Sequence, residues 1–260
     1  MAAYDEKPRG SIEMTFSGMA DKFLFSPFRE MFASGAYDFS PEQITHEGKL
    51  VILDIPILQY GRETSRLMQI IVKLVCQRQW LSHAYLPGCC NGAMLVQDEF
   101  QTLFSRFENH FVQVCRASAI IPLYATQTIL NVAEEMGQQQ PGPKSKAFLN
   151  NLSIKIAHNS AGCPVTCQYL ADTIGKEYRY LDGFNAGEAA GGHSHAGISG
   201  QKHLVHIVEP IEFTRLTAPD GRNPCAEAIV YLGGKTFNVT RTGKNPRGRN
   251  YLKVTFSRDI

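Results

Sequence analysis

Short apolar runs separated by stretches of helical periodicity constrain this 260-residue chain more than any other feature. "KLVILDIP" (49–56), "AMLVQ" (93–97), "AIIPLYATQ" (119–127) and "LSIKIAHN" (152–159) have the length and bounding residues of buried strands. Between them, 63–85 sets Leu67, Ile70, Ile71, Leu74 and Val75 at helical spacing, leaving Arg66, Lys73 and Arg78 for the wet side. Residues 102–118 carry a stripe of Leu103, Phe104, Phe107, Phe111, Val114 and Cys115, which predicts a helix. Shorter helices are expected at 129–136 and 146–151. Another is expected at 163–175, with Pro164 in its first turn and Gly175 at its end. Strand and helix in alternation predict an α/β fold, a mostly parallel sheet with helices on both faces.

The flanks read differently. Residues 1–34 are expected to be loosely ordered, and 35–260 to form one domain. Within it, "NAGEAAGGHSHAGISGQ" (185–201) is rich in Gly, Ala and Ser and reads as a mobile loop. Gly233-Gly234, between "AEAIVYL" and "KTFNVTR", predicts a C-terminal β-hairpin, and "NYLKVTFSR" (250–258) one more strand. An apolar fraction of 43% and a charged fraction of 19% are those of an ordinary globular protein. A net charge of +2 does not demand nucleic acid as a partner. Seven scattered cysteines suggest reduced, buried thiols in a cytosolic setting, and no apolar window is long enough to span a bilayer.

The run "AMLVQ" leads straight into Asp98 and Glu99. α/β folds bind ligands at the carboxyl ends of their strands, so adjacent acids there suit a division of labour. One carboxylate would hold a water of a hydrated Mg²⁺ and the other would polarise an attacking water. The plainer alternative is an acidic pair favoured by the N-terminal dipole of the next helix. Gln127, at the end of the following strand, is placed to contact a γ-phosphate or simply to end a strand. Arg116 ends the intervening helix, either as a finger reaching across a subunit boundary or as a cation favoured by the helix dipole.

Taken in order, "EGKLVILDIPILQYG", "GAMLVQDEFQTLF", "CRASAIIPLYATQT", "FLNNLSIKIAHNS", "YLADTIGKE" and "EAIVYLGGKTFNVT…NYLKVTF" resemble the C-terminal half of the TraG/TraD-type coupling proteins, from about Gly35 to Phe256. These are FtsK/HerA-like P-loop ATPases of conjugative type IV secretion. The resemblance implies a RecA-like motor domain that binds ATP and Mg²⁺ and works as a hexameric ring with type IV secretion and relaxosome proteins. DNA is its expected cargo, and the expected location is the cytoplasmic face of the inner membrane. It further implies that Asp98 and Glu99 are the Walker B acids, with Asp98 in the magnesium shell and Glu99 the general base. By the same resemblance Gln127 is the γ-phosphate sensor, and Arg116 an arginine acting in trans.

One departure weighs against a self-sufficient ATPase: GxxxxGK[ST] occurs nowhere in the chain. "GQQQPGPKS" (137–145) mimics its spacing with a proline inserted and reads as a loop. The expectation is a Walker B half that acts only with a P-loop-bearing partner, or a truncated remnant inactive alone. The competing expectations are a non-catalytic docking module resembling the relaxosome or TraM recognition region, and a nucleic-acid-binding protein without nucleotide chemistry. Two smaller features belong to minority readings. His193 and His195, with His83, Cys89 or Cys90, would form a metal site. Arg241, Lys244, Arg247 and Arg249 would form a basic, DNA-facing turn. An exposed sheet edge and an unburied apolar face are also expected.

Overall fold

The computed structural model describes residues 6–33, 35, 40–82, 92–189, 193–220, 223–237 and 248–257, with side chains described outside 6–9, 19, 181–189 and 193–200. The chain divides into two compact units, Met1–Ala125 and Thr126–Ile260.

In the first unit, the segment read as loosely ordered contains helices α1 (Glu6–Ala20) and α2 (Phe28–Phe32). Helix α3 (Pro41–Glu47) starts on a reciprocal cap, in which Ser40 and Gln43 satisfy each other's orphan backbone groups. It ends on Gly48 in the left-handed conformation. A short α4 (Ile57–Tyr60) leads into α5 (Arg62–Ser82), against which Phe28 and Ile55 pack at Met68. Trp80 on α5 is buried, and its indole N–H donates to the Pro41 carbonyl at 3.0 Å. Strand β1 (Ala93–Gln97), helix α6 (Phe107–Val114) and strand β2 (Ile120–Tyr124) complete the unit. β1 and β2 pair in parallel, from Ala93 opposite Ile120 to Gln97 opposite Tyr124. Gly92 is required where β1 begins, because a Cβ there would lie 2.5 Å from the Ala119 carbonyl oxygen.

Two expectations are corrected here. Residues 49–56 are not a buried strand. No ladder among the described residues pairs them, and Leu50 and Ile52 are 86% and 82% exposed. The apolar run suits a pleated strand, but no neighbour among the described residues supplies the hydrogen bonds a strand needs. The single helix expected over 102–118 is broken into a 3-10 turn (Phe100–Leu103), α6, and a second 3-10 turn (Cys115–Ser118).

The second unit holds α7 (Ile129–Glu135), α8 (Pro143–Asn151), β3 (Ile154–Ala157), α9 (Pro164–Ile174), β4 (Lys176–Ala189), β5 (His193–His206), β6 (Cys225–Leu232) and β7 (Tyr251–Ser257). β6 lies between β3 and β7, antiparallel to both. One face of this sheet packs Ala157 and Ile229 against Cys167, Ala171 and Ile174 of α9 and against Phe213. Of the stretch 185–201, expected to be a loop, 185–189 and 193–201 instead lie in the antiparallel pair β4–β5. Ladder pairing uses backbone groups only, so a Gly- and Ala-rich composition does not prevent it. β6 pairs antiparallel with the last strand, Tyr231 opposite Tyr251, and beyond the Gly233-Gly234 turn Phe237 bridges to Arg249; 238–247 lies outside the described residues. The class is therefore mixed α/β, with one parallel pair and antiparallel strands among the described residues.

Glu227 on β6 ties this sheet to the segment before it. Its carboxylate accepts from Lys253 at 2.9 Å and from the Thr217 amide and hydroxyl at 2.9 Å each. The bond from Lys253, then those from Thr217, pull its pKa from 4.5 down to about 2. A depressed carboxylate pKa gives stability that is present above the unfolded value and lost as pH falls through the folded one. Acid unfolding should therefore show a component between pH 4.5 and 2 that Glu227→Gln removes, measured as the denaturation midpoint against pH. Phe213→Ala, emptying the core under the same sheet, should cost about 3–5 kcal/mol by denaturant unfolding.

Candidate functional site

Asp98 and Glu99 leave β1 at the carboxyl end of the parallel pair. The Ala125 amide donates to the Gln97 carbonyl at 2.9 Å, and the Phe100 amide donates to the Ala125 carbonyl at 3.0 Å. These bonds carry the pairing past the last strand residues, so the acids emerge from a fixed exit. Asp98 is exposed, and one of its carboxylate oxygens accepts from the Glu99 amide at 2.9 Å. Glu99 is half-buried and adopts φ 47°, ψ 44°, the left-handed region. A glutamate there costs about 1–2 kcal/mol relative to the right-handed form, so something must hold it. Its carbonyl accepts from the Thr102 amide and hydroxyl, each at 2.9 Å, and its carboxylate accepts from the Gln101 side-chain amide. Glu99 stands at the N-cap position of the 3-10 turn that follows, without a side-chain cap hydrogen bond.

Beneath the turn lies a buried polar network invisible to the helical pattern. Lys73 of α5 is not on the wet side: it is 5% exposed, and Glu108 of α6 is fully buried. Lys73 Nζ donates to Glu108 Oε2 at 2.6 Å and also to the backbone carbonyl of Leu103, the last residue of the 3-10 turn. Gln77 Nε2 donates to Glu108 Oε1 at 2.8 Å, and the Tyr124 hydroxyl donates to the same oxygen. Burial pushes the Lys73 pKa below the ordinary lysine range, and the neighbouring Glu108 carboxylate offsets part of that shift. Burial, then the Glu108 charge, raises the Tyr124 phenol well above its ordinary value. Tyr124 also stacks on Phe100, with ring centroids 4.9 Å apart and planes 18° apart.

Gln127 is exposed and lies three residues after the end of β2, in the bend before α7. Thr128, next to it, caps α7 by accepting from the Asn131 amide at 3.2 Å. Arg116 is exposed in the second 3-10 turn, before β2 begins. It therefore sits toward the amino end of the parallel pair, away from the end that carries the two acids.

"GQQQPGPKS" runs from a loop into the first turn of α8, which begins at Pro143, and is not a phosphate cradle. The Gln138 side-chain oxygen accepts the Ser145 amide at 3.1 Å at the start of α8, and Ser145 Oγ donates to the Gly142 carbonyl. The amide group that would grip an anion is taken by a glutamine, so these residues do not fit a triphosphate. His83, Cys89, Cys90, Arg241, Lys244 and Arg247 lie outside the described residues, as do the side chains of His193 and His195. Among the described residues no group of three His, Cys, Asp or Glu could hold a metal. Arg249 lies over the Tyr251 ring at 5.8 Å. No described helix is long and apolar enough to cross a membrane.

No protein-family model matches the chain, and no curated protein does. Among solved structures, the bacterial conjugative coupling protein TrwBdeltaN70, in its unbound monoclinic form, is similar at 14% identity with a TM-score of 0.44. The match covers 69% of this chain and 34% of that one, so this chain spans about a third of its length.

Lys73→Met would leave the Glu108 carboxylate buried without a counter-charge. The expected loss is about 3–5 kcal/mol in denaturant unfolding, several times what an exposed lysine on the same helix would cost.

Proposed function

We propose that this chain carries the Walker B half of a conjugative coupling ATPase and hydrolyses nucleotide only with a P-loop supplied from outside these 260 residues. The observation that carries this reading is the exit of Asp98 and Glu99 from the carboxyl tip of a parallel strand, with Glu99 held in a strained backbone conformation. The ordered set of sequence segments that resembles the coupling proteins supports it. Asp98 presents an exposed, hard-oxygen carboxylate that suits a water of a hydrated magnesium ion. When bound, that ion would neutralise phosphate charge. Glu99 orients and deprotonates the attacking water, Gln127 reads the γ-phosphate, and Arg116 completes the site of a neighbouring subunit in a ring. The cargo in this reading is DNA or protein, delivered at the inner membrane through type IV secretion partners.

A docking role is favoured by a separate observation. On the open face of the β1–β2 pair, Met94, Val96, Ile121 and Leu123 are 57%, 62%, 59% and 46% exposed. Parallel strands are ordinarily covered on both faces, so this face suits a second polypeptide. The two roles are compatible if the polypeptide that covers the face also brings the P-loop.

The purified chain alone should show no measurable ATP turnover. Pulldown should recover a polypeptide carrying GxxxxGK[ST], and turnover by the pair should fall by about 10²–10⁴-fold in Glu99→Gln, the range for loss of a general base. Turnover by the pair that survives Glu99→Gln unchanged overturns the catalytic reading. A partner without a P-loop leaves the docking role.

A further inference from the structure

We propose that Lys73 is a positioning residue that clamps the Asp98–Glu99 turn from behind, through the Leu103 carbonyl and the Glu108 carboxylate, and so keeps Glu99 in its left-handed conformation. What the clamp is for rests on the reading of Glu99 as the general base; that the clamp exists rests on geometry alone.

The front of the turn is tied to β2 by the Ala125–Gln97 and Phe100–Ala125 backbone bonds and by the stacking of Phe100 on Tyr124. Within the turn, the Thr102 amide bonds the Glu99 carbonyl and the Phe104 amide bonds the Gln101 carbonyl. These are i to i+3 bonds of a single 3-10 turn, too weak a set to hold an unfavourable backbone by themselves. The rear is tied by Lys73, whose ammonium reaches the Leu103 carbonyl while fixed to Glu108. Glu108 is in turn fixed by Gln77 from α5 and Tyr124 from β2. One carboxylate thus connects α5, α6 and the tip of β2, and one ammonium passes that rigidity to the turn. A buried ion pair is a costly way to fill a core, since apolar residues of similar volume do so at least as well. Its distinguishing product here is a directed hydrogen bond to one backbone carbonyl, four residues past Glu99.

The test is the Lys73→Met/Glu108→Gln double variant of the full chain. It removes both charges together, and the substituted amide at position 108 keeps a side-chain oxygen that accepts from Gln77 and Tyr124. Two readouts are compared with the parent protein: the backbone NMR signature of Glu99, and amide hydrogen exchange over 100–104. In the parent, Glu99 should show positive-φ values and the 100–104 amides should be protected. In the double variant, with global unfolding near the parent midpoint, the Glu99 values should average away from positive φ. Exchange over 100–104 should accelerate at least about tenfold, as for a segment released to local opening. An unmoved Glu99 with parent-like protection in the folded double variant overturns the clamp, as does a parent Glu99 without the positive-φ signature. Should the double variant not fold, Tyr124→Phe takes one donor from Glu108 and leaves every charge and the Phe100 stack in place. A smaller shift of Glu99 in the same direction is then expected, and no shift overturns the proposal. Neither readout involves nucleotide, so failure of the clamp and failure of the catalytic reading are separately visible.

Discussion

A carboxylate sealed from water must find donors for its oxygens, and much of the first unit is arranged around how Glu108 does so. Desolvation of that charge is offset only by convergent partners, and the structure provides three: Lys73, Gln77 and the Tyr124 hydroxyl. Meeting that demand fixes the facing sides of α5 and α6, draws the tip of β2 onto both, and leaves the Lys73 ammonium with donors to spare. One of them goes to the turn that follows the acidic pair. The exit of β1 is thus shaped by an electrostatic requirement met between two helices, by residues thirty-five apart in sequence.

A second constraint runs through both units separately. In the first, the open face of the parallel pair is apolar and exposed. In the second, the three-stranded sheet buries one face on α9 and Phe213. Its opposite face aligns Ile154 and Ile156 with Leu232 and Val230, then Leu252, Val254 and Phe256. Ile154, Ile156 and Phe256 are exposed there. Contiguous apolar surface of this kind marks a place where other protein is expected to sit.

Much of the secondary structure was legible. α5, β1, β2, β3 and α9 fall where periodicity and short apolar runs place them, and α9 also has Pro164 at its start and Gly175 at its end. The acids at the end of β1 were legible for the same reason: a short apolar run stops, and the next residues must emerge at its tip. Lys73 was not legible. A lysine off the apolar stripe of a helix reads as solvated, and only its approach to Glu108 of α6 reverses that assignment. The paired backbone at 185–189 and 193–201 was hidden by composition, since glycine and alanine carry no strand signal while their backbone groups pair as well as any others.

The sequence by itself determined the α/β class, the place of the acidic pair at a strand tip, and the missing phosphate-binding motif, because these depend on local period, local order and residue identity. Only the tertiary structure decided that Glu99 takes a left-handed backbone, that a lysine and a glutamate from two helices meet beneath it, and that 49–56 lies unpaired among the described residues. It likewise placed Arg116 toward the end of the parallel pair away from the acids. Those outcomes turn on which distant groups come within hydrogen-bonding reach, and no window of sequence contains both partners.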